Sequence, residues 1–308
     1  MNEGDMLVIK VPASTANLGP GFDSIGLALS LYLTLEVEKS EQWKMIPLTK
    51  EMEQFPEDEQ HFICQIALQT ASRFGVQMTP CRIRLNSEIP LARGLGSSAA
   101  AIVVGIELAN AVCHLNLTNE QKLEVASQIE GHPDNVGASI FGGLVVGSQK
   151  NGKVYLVSFH HLDFETVVVI PNEQLLTKSS REVLPKELPF LDAVLAGTVG
   201  NVFIAAMLSG NWKLAGEMMG SDRYHQPYRR HLVPLFDTVE KVALKKGAFG
   251  VALSGAGPTV ICFTEKGKSN KLTEYLSREI PHSVVASLKI DQRGSVTKIV
   301  PVNKVKNA

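Results

Sequence analysis

The sequence predicts an α+β protein of two domains, and three observations carry that prediction. Apolar residues alternate along 26–38 and 81–89 with the period of half-buried strands. A glycine-serine stretch from Ile89 to Val104 then changes to helical spacing. After residue 164 the apolar segments follow in the order β-α-α-β-β-α-β, which suits helices packed on an antiparallel sheet. The boundary falls before the continuous apolar run Phe164–Pro171, giving domains of 1–163 and 164–308. A chain of 308 residues can bury two such cores. A net charge of −1 leaves no basic excess for nucleic acid or an anionic membrane, so neither is an expected partner. The four cysteines form no Cys-x-x-Cys pair and sit in apolar surroundings, which implies reduced thiols and a cytoplasmic setting. Met1 to Asp5 is polar, unlike a signal peptide, and no run is expected to reach the ~20 apolar residues of a membrane span.

In chain order, Met6–Val11 reads as a strand. Pro12 to Ser24 reads as a loop, in which Asn17 and Asp23 flank a Gly19-Pro20-Gly21 turn. Leu27, Leu29, Leu31, Leu33, Leu35 and Val37 share one parity, so Gly26–Glu38 is a long strand. Lys44 to Glu59 is a polar, acidic connection with no element assigned. His61–Phe74 is a helix ended by Gly75, with His61 expected at the surface. Cys81–Ile89 is a strand stopped by Pro90. Gly94 and Gly96 then allow a sharp turn and close approach to a ligand, and Ser97 or Ser98 suits the cap of a helix beginning at Ala99. Ile102, Val103, Ile106 and Cys113 fall on one face of that helix. A loop of this kind offers free N–H groups and a positive dipole end to a phosphate, though a tight turn alone accounts for the same residues.

Thr118 and Gln121 have capping-box spacing for a helix through Ile129. Glu130 closes that helix, where the dipole disfavours a carboxylate. A positive partner such as a metal answers that position, and so does a solvated surface glutamate. Asp134 and Asn135 begin the next element. Residues 142–159 form a hairpin around Asn151-Gly152. Asn172–Pro189 is polar and contains Thr177 and Arg181; Ser221–His231 is basic and aromatic and contains Arg229. Between them, 192–210 is a helix with Val194, Leu195, Val202, Phe203, Ala206 and Met207 on one face. A helix at Leu235–Lys246, a strand–glycine turn–strand at Gly250–Phe263, a helix at Ser269–Ile280 and strands at Ser283–Ile290 and Val296–Val302 complete the chain.

Four strings, spread from Pro12 to Phe263, carry a family resemblance. Pro90-x-x-x-Gly94-Leu95-Gly96-Ser97-Ser98-Ala99 resembles the ATP-binding motif of the GHMP kinases. Pro12-Ala-Ser-Thr-Ala-Asn17-Leu-Gly-Pro-Gly-Phe-Asp23 resembles the first motif of the homoserine kinases within them. Glu130-Gly-His-Pro-Asp134-Asn135-Val-Gly-Ala-Ser resembles the homoserine kinase version of the second motif, and Gly250–Phe263 resembles the third. The resemblance implies an N-terminal domain like domain 2 of ribosomal protein S5, a ferredoxin-like C-terminal domain, and an active site between them. It implies transfer of phosphoryl from ATP, with Mg²⁺, to the side-chain hydroxyl of L-homoserine, as used in threonine biosynthesis, by a cytoplasmic homodimer.

The resemblance also distributes roles. Leu91, Ala92, Arg93, Gly94, Leu95, Gly96, Ser97, Ser98, Ala99, Ala100 and Ala101 would hold ATP. Ser98 and Glu130 would hold Mg²⁺, which accepts hard oxygen ligands. Arg181 and Arg229 would clamp the substrate carboxylate through their planar forks. Asn17 and Asp23 would face its ammonium and Asn135 its hydroxyl, with Thr177 and Gly257 in the same substrate set. Related kinases place a catalytic Asp where this chain has Asp134-Asn135, so Asp134, Asp23 and the γ-phosphate all stand as proton acceptors. His132 is read as structural. A mevalonate- or sugar-type kinase is the enzyme alternative, but mevalonate would leave Asp23 without an amine to meet. An inactive nucleotide-binding relative is the other, against which the intact Ser98 and Glu130 count.

Overall fold

The computed structural model describes residues 5–301. The chain runs β1 (Asp5–Asn17), β2 (Gly21–Lys39), β3 (Lys44–Pro47), α1 (Phe62–Arg73), β4 (Cys81–Ser87), α2 (Ser97–Val112), α3 (Asn119–Glu130), α4 (Asp134–Phe141), β5 (Leu144–Lys150) and β6 (Lys153–Phe159). It continues through β7 (Phe164–Pro171), α5 (Thr177–Glu182), α6 (Phe190–Ser209), α7 (Trp212–Met219), α8 (Gln226–Arg229), α9 (Phe236–Lys245), β8 (Ala248–Leu253), β9 (Val260–Glu265), α10 (Ser269–Glu279), β10 (Ser283–Leu288) and β11 (Val296–Pro301). The expected strand end at Val302 and the acidic start at Met1–Gly4 lie outside the described residues.

Two sheets result. The first has seven strands in the order β11-β1-β2-β4-β3, with β5 and β6 joined through β2. The second has four in the order β10-β7-β9-β8. Numbered along the chain, that second order is fourth-first-third-second with every neighbour antiparallel, the ferredoxin-like arrangement the sequence order allowed. One buried cluster runs from Leu7 and Leu35 through Ile102 and Val104 to Phe203, Met207 and Ile261, so the two sheets share apolar packing. Phe164, Trp212, Phe249 and Phe263 form an aromatic group in or against that cluster, with Trp212 stacked on Phe249 and the other rings tilted or edge-on.

Several expectations change. Pro12–Asn17 and Gly21–Ser24 are not loop: they extend β1 and β2, leaving Leu18–Pro20 as the turn. Register shifts after Pro12 and Ala16 let the hairpin carry its turn-forming residues without losing its pairing. The acidic connection holds β3 and a 3₁₀ turn at Lys50–Met52, because Met45 and Met52 are buried. His61 is buried rather than superficial, and its ring accepts the Ile63 N–H as the cap of α1. Helix α6 turns Ala196, Val199, Phe203, Ala206 and Met207 inward and leaves Val194, Leu195 and Val202 exposed. It is apolar on every side, so periodicity could not select its face. Its 20 residues are also long and apolar enough to cross a bilayer, contrary to expectation, although one side packs into the protein core. The short helices α5, α7 and α8 fall in segments whose polarity hid them.

The final strand, counted with the second domain from sequence order, lies in the first sheet, antiparallel to β1 from Asp5↔Pro301 to Lys10↔Val296. A buried carboxylate on α2 holds it there. Glu107 accepts from Ser295 Oγ at 2.7 Å and Thr297 Oγ1 at 3.4 Å, and pairs with Lys122 Nζ at 2.9 Å. Removing one partner of a nearly buried pair strands the other charge. Glu107→Ala is therefore expected to lower unfolding stability by about 3 kcal/mol. Urea titration checks this, and a loss below about 0.5 kcal/mol would show that β11 is held by its ladder alone.

Candidate active site

The loop between β4 and α2 forms one wall of a cavity. Its helix begins two residues before the apolar periodicity does. Gly96, at φ 71°, occupies the cap position without a side-chain bond, and Ser97 and Ser98 lie in the first turn rather than capping it. The glycines make the expected sharp turn at the cavity wall and have a further reason as well. A Cβ on Gly96 would stand 2.2 Å from Ser14 Oγ, and one on Gly94 would stand 2.2 Å from the Ser254 carbonyl oxygen. The loop is thus pressed between β1 and the turn from β8 to β9, both glycines having positive φ. Of the residues assigned to ATP, Ala92, Gly94, Gly96, Ser97 and Ser98 line the cavity. Leu95, Ala99 and Ala100 are core. Arg93 instead donates to the carbonyls of Pro171, at 2.9 Å, and Asn172, at 2.8 Å, fastening the loop to the end of β7. A neighbouring apolar cavity of about 250 Å³ is walled by Leu33, Met52, Phe55, Phe62, Leu91 and Ala101, and shares Ser97 and Ser98 with the first.

Glu130 is the last residue of α3, and Gly131 follows it as a left-handed cap. Ser98 Oγ donates to Glu130 Oε2 at 3.1 Å across the loop. Burial raises the Glu130 carboxyl above its ordinary pKa, although the nearby His132 and the Ser98 bond oppose this. A desolvated carboxylate and a hydroxyl oxygen, side by side at the phosphate loop, fit a hard divalent cation such as Mg²⁺.

Helix α4 starts in the cavity. Asp134 is buried, and its Oδ1 accepts from His132 Nδ1 at 2.6 Å, the Asn135 N–H at 2.7 Å and Asn135 Nδ2 at 3.4 Å. Asn135 Oδ1 in turn accepts from Ser14 Oγ at 3.0 Å. His132, read from sequence as structural, lines the cavity. Burial pulls its pKa down, but the bond to Asp134 and the charges of Asp134, Asp23 and Glu130 outweigh that and raise it. His132, Asp134 and Asp23 bring ligand-type atoms within 4.8 Å of one another, yet Asp134 is bonded to His132 and Asp23 to Arg181. When protonated, His132 is the countercharge to these carboxylates.

The opposite wall holds the arginines. Arg181 gives Nη1 to Asp23 Oδ2 at 3.1 Å and Nη2 to Asp23 Oδ1 at 2.6 Å, so two groups expected to hold opposite ends of a ligand hold each other. Asn17 accepts the Asp23 N–H at 3.0 Å and donates to the Gly255 carbonyl at 2.9 Å, so its amide builds the wall. Arg229 is 1% exposed. Its Nε donates to the Ser180 carbonyl at 3.0 Å, and Nη1 donates to the Gly255 carbonyl and to His225 Nδ1, both at 3.3 Å. Burial, with the charge of Arg181, lowers the Arg229 pKa to about 10. Phe22 faces both guanidiniums, at 5.4 Å from Arg181 and 5.3 Å from Arg229. Thr177 lines the cavity from the start of α5. Gly257 does not line it; Gly255 and Ala256 do, while Gly257 turns toward Val233 and Leu175. Sequence reasoning missed Ser14, Phe22 and His225 as parts of the site, although Ser14 and Phe22 stand inside the first motif string.

Comparison with known proteins identifies the family and the fold. The GHMP kinases N terminal domain family matches residues 61–143, and the GHMP kinases C terminal family matches 203–282. The chain is 48% identical over 308 residues to a homoserine kinase of Bacillus velezensis, covering all of both chains. It is 49% identical to one of Bacillus pumilus, covering 100% of this chain and 99% of that one. Among solved structures, a Listeria monocytogenes protein described as a homoserine kinase superposes with a TM-score of 0.82 at 41% identity, covering 95% of this chain and 99% of that one. A homoserine kinase of Cytophaga hutchinsonii gives a TM-score of 0.85 at 25% identity, covering 97% and 99%.

The His132–Asp134 pair sets a pH dependence. The folded pKa of His132 is raised, so the pair's contribution is complete below about 6.5, the ordinary value, and is lost as pH rises through the folded value. The stability difference between wild type and His132→Asn is therefore expected to shrink as pH rises above about 6.5. Urea unfolding at several pH values measures it; a difference that stays constant would show that the ring does not titrate as a pair with Asp134.

Proposed function

This chain belongs to the homoserine kinase family of the GHMP kinases, and from that premise we propose that it transfers the γ-phosphoryl group of ATP to the side-chain hydroxyl of L-homoserine. The products are ADP and O-phospho-L-homoserine. The observation that carries the substrate reading is Arg229, a buried guanidinium whose described hydrogen bonds all go to uncharged acceptors. Asp23 and Asp222 act on it only from a distance, and a buried cation with no carboxylate in direct contact is costly. A ligand carboxylate beside it supplies that charge.

Of the five N–H groups of Arg229, Nε spends one on Ser180, and Nη1 spends two on Gly255 and His225. The two on Nη2 remain, so Arg229 offers one nitrogen rather than the full fork expected from sequence. Arg181 completes the clamp. Its pair with Asp23 is more than a third exposed on the arginine side, so holding it contributes only about 0–1 kcal/mol. An amino-acid zwitterion can divide this pair, its carboxylate taking Arg181 and its ammonium taking Asp23. Mevalonate, with a carboxylate but no ammonium, would take Arg181 and leave Asp23 without a partner, and a neutral sugar would leave the pair undivided.

ATP is read across the two cavities. The apolar one takes the adenine, and the first-turn N–H groups of α2, which no helix carbonyl can satisfy, receive the phosphates. Ser98 and Glu130 would hold Mg²⁺, which supplies positive charge to the phosphate oxygens. Asn135, fixed by Ser14 and Asp134, orients the acceptor hydroxyl in line with the γ-phosphate. Asp134 Oδ1 is occupied by the hydrogen bonds from His132 and Asn135, so it serves to hold these two side chains. Phosphoryl transfer through a loose transition state asks little of a base, so positioning is the main contribution of these residues. A cytoplasmic location is proposed on the same family premise, with which the four free cysteines agree. A homodimer is proposed on the family resemblance alone.

Arg181→Ala and Arg229→Ala are each expected to raise the homoserine KM roughly tenfold to a hundredfold, with the ATP KM within about twofold of wild type. Initial-rate assays check this, and an unchanged homoserine KM in both variants would remove the clamp. Glu130→Gln keeps the shape of the side chain but binds Mg²⁺ weakly. It should keep the unfolding midpoint and lose most of kcat; near wild-type kcat at saturating Mg²⁺ would remove the metal assignment.

A further inference from the structure

The ring of His225 is fully buried between two parts of the site, and its partners identify which nitrogen carries the proton. Nε2 lies 3.0 Å from the Gly19 carbonyl oxygen, which can only accept, so Nε2 bears the hydrogen. Nδ1 lies 3.3 Å from Arg229 Nη1, which can only donate, so Nδ1 bears the lone pair. We propose that His225 is a positioning residue that couples the Leu18–Pro20 turn to Arg229 and, through this one tautomer, aims Nη2 of Arg229 into the substrate cavity.

The surroundings agree. Asp222 accepts the backbone N–H groups of Tyr224, His225 and Gln226, which fixes the start of α8 one turn before Arg229. Phe22 stacks on the imidazole at 5.5 Å and also faces the Arg229 guanidinium. Without the His225 acceptor, one Nη1 hydrogen would be orphaned in a buried position, and the guanidinium would turn to satisfy it. That rotation would carry Nη2 away from the cavity. Burial, opposed by Asp222 and assisted by Arg229, lowers the pKa of the ring to about 4, so it stays singly protonated at neutral pH.

This inference rests on the reading of Arg229 as a carboxylate ligand, and the test separates the two. The amide oxygen of His225→Asn stands near the place of Nδ1 and can accept from Arg229. The amide of His225→Gln reaches instead toward Gly19 and leaves Arg229 without its acceptor. His225→Gln is expected to raise the homoserine KM about tenfold, with kcat and the ATP KM nearly unchanged, and His225→Asn to recover most of that affinity. A merely structural role would make the smaller Asn, which leaves a larger void, at least as damaging as Gln. Wild-type homoserine KM in His225→Gln, or equal losses in both variants, would overturn the proposal while Arg229→Ala still raises the KM. An unchanged KM in Arg229→Ala would overturn both readings. A second measurement reads the tautomer of His225 directly. In ¹⁵N-histidine NMR spectra of the wild-type protein, the imidazole signals that are absent from His225→Asn should report a protonated Nε2 and an unprotonated Nδ1 without titrating from about pH 5.5 to 8, which separates them from those of His61, whose Nδ1 also accepts a hydrogen bond. If those signals titrate in that range, or show the other tautomer, the proposal fails.

Discussion

The buried guanidinium of Arg229 is the constraint on which the site depends. Its hydrogen bonds reach Ser180 on α5, Gly255 in the turn between β8 and β9, and His225 before α8, and His225 extends the chain of bonds to Gly19 in the first hairpin. Four segments far apart in sequence are therefore registered on one cation. None of these acceptors is charged, so burial is only partly compensated inside the protein. A kinase that must recognise the carboxylate of a small zwitterionic acceptor gains from this arrangement, because the desolvation of the cation is already complete when the ligand arrives.

The motif residues divide into those that face the cavity and those that hold it in shape. Gly94 and Gly96 admit the backbone of neighbouring segments, and Ser254 Oγ donates to the Gly94 carbonyl at 2.6 Å and accepts from Thr15 Oγ1 at 2.8 Å. Arg93 and Asn17 spend their polar groups on backbone partners in the other half of the molecule or in its turns. The phosphate loop, the first hairpin and the third motif thus form one packed unit. Substitutions there are expected to disturb substrate binding on both sides of the cavity, since each segment is the wall against which another is built.

Much of this was legible in the sequence, for identifiable reasons. Period-two runs marked β2 and β4, the Thr118–Gln121 pair marked the start of α3, and Asn151-Gly152 marked the β5–β6 hairpin. The cavity likewise collects Asp23, Ser98, Glu130, Asp134, Asn135, Thr177, Arg181 and Arg229 as the motifs indicated. What was hidden is relational. No local pattern says that β11 crosses back to β1, because the decisive contact is Glu107, some 190 residues away, with Thr297. Nothing near Asp23 or Arg181 says that they pair across 158 positions. His225 looks like one more basic residue in a basic segment until its two ring nitrogens have partners. The uniformly apolar α6 carries no periodic signal of its buried face.

The central claim is that this cavity reads an amino-acid zwitterion by dividing the Asp23–Arg181 pair and placing a carboxylate beside Arg229. Steady-state ADP release tests it most directly, with L-homoserine compared against homoserine amide, which lacks the carboxylate, and γ-hydroxybutyrate, which lacks the ammonium. The expected result is a kcat/KM for L-homoserine at least about tenfold above either analogue, one charged hydrogen bond being worth about 1.5–3 kcal/mol. Equal kcat/KM for all three acceptors would contradict it, and so would faster turnover of mevalonate or galactose than of homoserine.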